Sequence, residues 1–336
     1  MTRIAITMGD PAGIGPEVIL KSLANPAVFS AGRFLVVGSW SWFRREADRS
    51  GSPVNLVRVG AGEAWPEDSV GVLDVGPPED AGVVSGKPDR GGARVAGRAV
   101  EVATGLALDG KVEALVTAPL TKISFEEMDV PRKGAGWGHT EYLAWRAGVK
   151  RFAMMFVFGR QRVLLATTHL PLAGVPGALS KERISECIDL LDKTLKECFD
   201  VRRPRLGVAG LNPHAGESGL LGDEEAAFVR PAVKASAARR IHVTGPYPAD
   251  TLFWRMARGE FDGVVALYHD QAMIPVKLMG PERAVNVTVG LPFVRTSVSH
   301  GTAFDIAGRN VASAQSMTEA LALAAHMSAG ATRMES

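Results

Sequence analysis

The sequence predicts an α/β protein, and three observations carry that prediction. Short apolar runs that read as buried strands recur at residues 4–8, 34–38, 113–119, 163–168, 206–211 and 263–268. Helical segments with a 3.6-residue apolar period lie between many of them, at 93–108 and 180–199 most clearly. The first run passes through a glycine-rich loop into a helix that starts at a proline, the strand–loop–helix order of α/β folds. At 336 residues the chain exceeds what one hydrophobic core usually supports, so two lobes are expected. No repeat, low-complexity tract or long linker separates them, which predicts lobes that are intimately connected.

Composition narrows the function classes. Hydrophobic residues make up 46% and charged residues 22%, as in ordinary globular proteins, and no run approaches about 18 apolar residues. Lys and Arg number 38 against 36 Asp and Glu, so no basic footprint marks nucleic acid or a membrane surface as partner. The two cysteines, Cys187 and Cys198, fall on one predicted helix about 16 Å apart, too far for a disulfide. The opening residues lack the apolar region of a signal peptide. A cytoplasmic protein without nucleic-acid or membrane partners is expected.

In chain order, strand 4–8 leads into GlyAspProAlaGlyIleGlyProGluVal (9–18), with a helix to about Ala24. Its glycine spacing is not GlyXGlyXXGly, so as a phosphate cradle the loop is weak. Residues 50–93, rich in Gly, Pro, Asp and Ser, read as loops with short edge strands. After the helix at 93–108, strand 113–119 is followed by Lys122, either an anion contact beyond a strand's carboxyl end or a solvated surface lysine. A Gly/Pro-rich loop over 129–138 leads to His139 and Thr140 at a helix start, where an anion is favoured; an N-cap role for Thr140 competes. Runs 152–158 and 163–168 read as a hairpin, and the stripe Ile184, Cys187, Ile188, Leu191, Leu195 as core. A helix begins near Asp223, and another carries Asp250 near its start, a cap or a functional acid. Lys277, Asn286 and Arg295 follow, then 300–310 and a terminal helix over 316–329.

The chemistry concentrates in three histidines. His169, His214 and His269 each follow an apolar strand-like run, among only seven histidines in the chain. That repetition suggests three imidazoles at one edge of a sheet, the usual ligand count of a catalytic metal.

Nine motifs together resemble the 4-hydroxythreonine-4-phosphate dehydrogenase family from end to end. They are MetGlyAspProAlaGlyIleGlyProGlu, ThrAlaProLeuThrLys, GlyHisThrGluTyrLeuAla, ThrThrHisLeuProLeu, GlyLeuAsnProHisAlaGlyGlu, ProAlaAspThrLeuPhe, TyrHisAspGln, GlyLeuProPheValArgThrSer and HisGlyThrAlaPheAspIleAlaGly. The last is similar to the adenosine-binding loop of isocitrate and isopropylmalate dehydrogenases. The resemblance implies that fold: residues 1–336 as two interleaved α/β lobes sharing a mixed central sheet, with the active-site cleft between them. It implies an NAD-dependent (NADP possible) oxidation of the C3 hydroxyl of 4-phosphooxy-L-threonine, assisted by one divalent metal (Zn, Co or Mg), with later loss of CO2. His169, His214 and His269 match the family's metal ligands, and His139, Thr140, Lys277, Asn286 and Arg295 its contacts to a small phosphorylated substrate. Asp270, Asp250 and Lys122 are catalytic candidates. His300, Gly301, Thr302, Asp305 and Asn310 are cofactor candidates. The family is a homodimer with its site at the subunit interface, so the three imidazoles need not come from one chain. The segment between Lys122 and His139, which contains ProArgLysGlyAlaGlyTrp (131–137), departs from the family by being longer and more basic. Alternatives are a paralogue acting on D-erythronate or D-threonate 4-phosphate or an aromatic cis-dihydrodiol, and a non-catalytic metal- or nucleotide-binding protein.

Overall fold

The computed structural model describes the chain except residues 77–82, 129, 132–136, 281 and 336. The connection expected over 129–138 and the basic segment 131–137 therefore lie largely outside the described residues. Contacts divide the chain into two compact units, residues 1–149 with 291–329 and residues 150–290 with 330–336.

The first unit begins with β1 (Arg3–Thr7), α1 (Gly15–Leu23), α2 (Pro26–Phe29), β2 (Arg33–Gly38) and α3 (Trp40–Ser50). It continues with β3 (Leu56–Val59), β4 (Val70–Asp74), α4 (Arg90–Leu108), β5 (Ala114–Thr117), α5 (Lys122–Glu126) and α6 (His139–Arg146). The chain later returns to it with β12 (Val294–Ser297) and enters α12 (Gln315–Glu335). Its strands run in the order β3-β4-β2-β1-β5-β12, all parallel. Burial explains the apolar runs: Ile4–Ile6 and Leu115–Val116 are closed from solvent, and parallel strands are covered on both faces. The strand order reverses between β1 and β5, the kind of position where α/β sheets bind ligands beyond their carboxyl ends.

Two readings of this unit need correction. β4 is not an edge strand but lies between β3 and β2, with Val70–Leu73 buried. The polar composition around it obscured a continuous apolar run. Helix α3 was not expected at all, because its polar sequence is amphipathic on one narrow side. Ser39 Oγ accepts from Trp42 N at 3.2 Å to start it, and Gly51 ends it at φ +64°.

The second unit opens with a hairpin of β6 (Ala153–Phe158) and β7 (Gln161–Leu165), as predicted. Then come α7 (Val175–Ala178), α8 (Lys181–Phe199), β8 (Leu206–Ala209), a π-helical turn over Glu225–Val229 and α9 (Arg230–Ala238). β9 (Val243–Tyr247), α10 (Ala249–Ala257), β10 (Gly263–Ala266), α11 (His269–Met279) and β11 (Val285–Val289) complete it. The order is β11-β6-β7-β10-β8-β9, antiparallel across β11, β6 and β7 and parallel from β7 to β9. Ser180 caps α8, whose stripe from Ile184 to Leu195 is core, and both cysteines are free. Among the described residues no helix is long and apolar enough to cross a membrane.

Candidate active site

The second unit sets its histidines at the carboxyl ends of three neighbouring parallel strands. β7, β10 and β8 lie side by side, followed by His169, His269 and His214 respectively. A chain of hydrogen bonds ties the three ends together. Ala166 N donates to Ala266 O at 2.8 Å, and Thr167 Oγ1 to Leu267 O at 2.7 Å. Leu267 N donates to Gln271 Oε1 at 2.7 Å, and Gln271 Nε2 to Gly210 O at 2.7 Å. Gln271 is buried, so both ends of its amide are fixed.

The His169 and His269 rings lie with centroids 5.5 Å apart and planes at 43°. Two imidazoles bound to one tetrahedral cation at about 2.1 Å would place their centroids about 5.3 Å apart. His269 Nδ1 is 2.6 Å from Asp270 Oδ1, which fixes that edge of the ring and leaves Nε2 for a ligand. The pair therefore fits a divalent metal. Asp270 is placed to orient an imidazole, the role expected of a carboxylate beside a metal-binding histidine. His214 does not complete a trio: among the described residues no group of three His, Cys, Asp or Glu is gathered closely enough to hold an ion. It stands exposed on a turn in which His214, Ala215, Gly216, Glu217 and Ser218 all have positive φ, between 40° and 79°. A left-handed conformation costs roughly 1–2 kcal/mol for each non-glycine residue, so the surroundings must enforce this turn.

Lys277 is exposed in the last turn of α11, about 12 Å along the helix from His269. Asn286 is half-buried on β11, and its Oδ1 is closed from solvent with no hydrogen-bond partner. Asp250 lies exposed in the first turn of α10. It is not the N-cap, a position held by Pro248.

The first unit carries a different cluster. Arg295, on β12, is 2% exposed, and its Nη2 donates to Thr117 Oγ1 at 2.6 Å on β5. Burial pulls its pKa down to about 9 against the opposing pull of Glu141, so it remains a cation at neutral pH. His139 opens α6 beside it. Burial first, then the Arg295 cation, holds His139 well below its ordinary value near 6.5. Its Nε2 is closed off with no hydrogen-bond partner, and Phe125 packs edge-on at 5.4 Å. Thr140 is buried in the first turn but does not cap the helix, because Gly138 holds that place and its N–H donates to Glu141 Oε2 at 3.1 Å. A buried guanidinium beside a neutral imidazole suits a carboxylate or phosphate. Lys122 is exposed at the first position of α5.

The same unit joins two stretches that the sequence offered separately. Ile14 N donates to Thr302 O at 3.0 Å, and a Cβ on Gly13 would come within 2.7 Å of that oxygen. Lys21 Nζ donates to Asn310 O at 3.1 Å and to Glu17 Oε1 at 2.8 Å, anchoring the far end of 300–310. His300 Nδ1 contacts Gly301 O at 2.9 Å, while Gly301 faces open space and lets a ligand approach the backbone. Asp305 is exposed on the same loop. The anchors Glu17 and Lys21, like Thr117, Phe125 and Gln271, had no role assigned from the sequence, although Glu17, Thr117 and Gln271 lie inside its motifs.

Comparison with known proteins agrees along the whole chain. The 4-hydroxythreonine-4-phosphate dehydrogenase of Desulfosudis oleivorans is 43% identical over 326 residues, 96% of this chain and 94% of that one. The D-threonate 4-phosphate dehydrogenase of Cupriavidus necator is 44% identical, over 95% of each chain. A crystal structure of 4-hydroxythreonine-4-phosphate dehydrogenase from Klebsiella pneumoniae superposes with a TM-score of 0.86 at 41% identity, covering 98% of this chain and 100% of that one. At 14% identity, isocitrate dehydrogenase from Methylococcus capsulatus shares the fold, with a TM-score of 0.51. A family model described as pyridoxal phosphate biosynthetic protein PdxA matches residues 30–324, and the chain belongs to that family.

Proposed function

We propose that this chain is an NAD-dependent, metal-assisted dehydrogenase that oxidises the C3 hydroxyl of 4-phosphooxy-L-threonine. The observation that carries the reading is the likeness, at 41–43% identity over nearly the full length, to proteins named for that activity. The β-keto acid formed at C3 then loses CO2 by cleavage of its C1–C2 bond, C2 takes up a proton, and 3-amino-2-oxopropyl phosphate results.

In this reading His169, His269 and His214 hold the metal, and Asp270 fixes the tautomer and aim of His269. A divalent cation supplies Lewis acidity at the reacting hydroxyl and at the ketone that replaces it, and imidazole donors suit Zn²⁺ or Co²⁺ better than Mg²⁺. NAD⁺, when bound, would supply the hydride-accepting chemistry for the oxidation at C3. Arg295 neutralises a substrate anion from a buried position, and the neutral His139 offers Nε2 as a hydrogen-bonding group beside it. Lys277 adds a second cation, Asn286 a polar contact, and Thr140 a hydroxyl. Lys122 and Asp250 are further polar groups for the substrate, and residues 300–310 take the dinucleotide.

We also propose a homodimer. Leu170 and Leu172 beside His169, Leu220 and Leu221 after the His214 turn, and Ile274 and Leu278 on α11 are all exposed, from 42% to 83%. Five exposed leucines and Ile274, on the three segments that carry the histidines, suit a self-association face, and a second copy there would allow a shared metal site. Two free cysteines are consistent with a cytoplasmic enzyme.

The Cupriavidus necator relative supports a second reading, D-threonate 4-phosphate as substrate. Both substrates carry phosphate, carboxylate and a C3 hydroxyl, and they differ at C2, amine against hydroxyl. Measuring kcat/KM for each, with D-erythronate 4-phosphate alongside, decides between them. A preference for 4-phosphooxy-L-threonine is expected. A preference for either aldonate phosphate would replace the reading with its paralogue.

A further inference from the structure

We propose that Glu225 is a positioning residue that preorganises His214 for the metal, an inference resting on the metal reading above. The strained turn carrying His214 has little local reason to exist: of its six consecutive positive-φ residues, 214–219, only Gly216 and Gly219 are glycines. Its entry is instead gripped by one carboxylate. Glu225 is 1% exposed, and its Oε1 accepts from both Leu211 N and Asn212 N at 2.8 Å. Its Oε2 accepts from Asn212 Nδ2 at 3.0 Å. The same oxygen lies against the middle of the turn, where a Cβ on Gly216 would come within 2.6 Å of it. Glu224 holds Asn212 Nδ2 from the other side at 2.8 Å.

The grip is connected to the other histidines. Gly210, immediately before the residues Glu225 holds, gives its carbonyl to Gln271, two residues beyond His269 on α11. A Cβ on Gly210 would sit 3.2 Å from Glu225 Oε1, so the carboxylate packs on the strand end as well. Gln271 thus ties the end of β8 to the His269 helix, and Glu225 ties the same end to the His214 turn. Glu225 lies on the π-helical turn Glu225–Val229, which sets it inward, ahead of the first α-turn of α9.

The test is Co²⁺ binding to metal-stripped protein, followed by calorimetry and by the Co²⁺ absorption bands. Glu225→Gln keeps shape and volume but presents an amide to Asn212 Nδ2, donor against donor. Co²⁺ affinity is expected to fall about 10- to 100-fold with far-UV circular dichroism unchanged, and saturating Co²⁺ should restore kcat. Wild-type affinity in Glu225→Gln overturns the proposal. Gly216→Ala strains the same contact from the opposite side and should give the same loss; it decides the matter if Glu225→Gln does not fold. His269→Ala separates the two layers of the argument. If it binds Co²⁺ like the wild type, the metal reading itself fails, whereas loss there with retention in Glu225→Gln and Gly216→Ala sinks only the role of Glu225.

Discussion

The two chemically distinct clusters are built on opposite principles. Around Arg295 the groups are buried and tied to core strands, so the guanidinium is held in place by the protein alone. His169 and His214 are exposed beyond strand ends and His269 is half-buried at the first position of α11, on segments that also carry exposed leucines. The first cluster is preorganised by packing, so its electrostatic effect is strong and costs little reorganisation. The second has two rings 5.5 Å apart and a third imidazole on a strained turn, and in the proposed reading an ion and a second copy of the chain would complete it.

The comparison breaks most visibly at Arg295. Arg295→Lys removes the planar fork and leaves a point charge, and losing one charge-assisted hydrogen bond of about 1.5–3 kcal/mol lowers kcat/KM roughly 10- to 100-fold. Because the two clusters are separate constructions, Co²⁺ affinity should stay at the wild-type value. A kcat/KM within twofold of wild type would contradict the anion role of Arg295, and a parallel loss of metal affinity would show that the clusters are not independent.

A smaller effect sharpens the burial side of the contrast. His139 has a folded pKa depressed below its unfolded value near 6.5, so between the two the unfolded chain binds the extra proton. Its contribution to stability is complete above pH about 6.5 and is lost as the pH falls toward the folded value, by up to about 1.4 kcal/mol per pH unit. For a chain of this size that is a Tm loss of about 2 °C per unit. His139→Gln should flatten the Tm profile between pH about 6.5 and 5. An unchanged slope would mean that His139 is not held neutral by burial.

How much was legible beforehand follows from the range of the interactions involved. The strands bearing His169 and His269 announce themselves locally, by apolar runs ending in a histidine, and the pairing of β7 with β10 brings those rings together. β4 was misplaced because its neighbours in sequence are polar while its neighbours in space are β2 and β3. The His214 turn could not be read: a left-handed run across Ala215, Glu217 and Ser218 contradicts local preference. It is enforced by Glu225, 13 residues from Asn212 in sequence and visible only once the π-helical turn sets it inward. Gln271 was in view as part of a motif, but its partner Gly210 is 61 residues away. Propensity and pattern find elements; the contacts that aim side chains are non-local.

The central claim is that the histidine cluster binds the metal on which the oxidation depends. The most direct measurement is NADH formation from 4-phosphooxy-L-threonine by protein stripped with EDTA and then titrated with Zn²⁺ or Co²⁺. The account predicts that stripping abolishes turnover and that one metal per site restores it. Undiminished NADH formation by the stripped protein would contradict it.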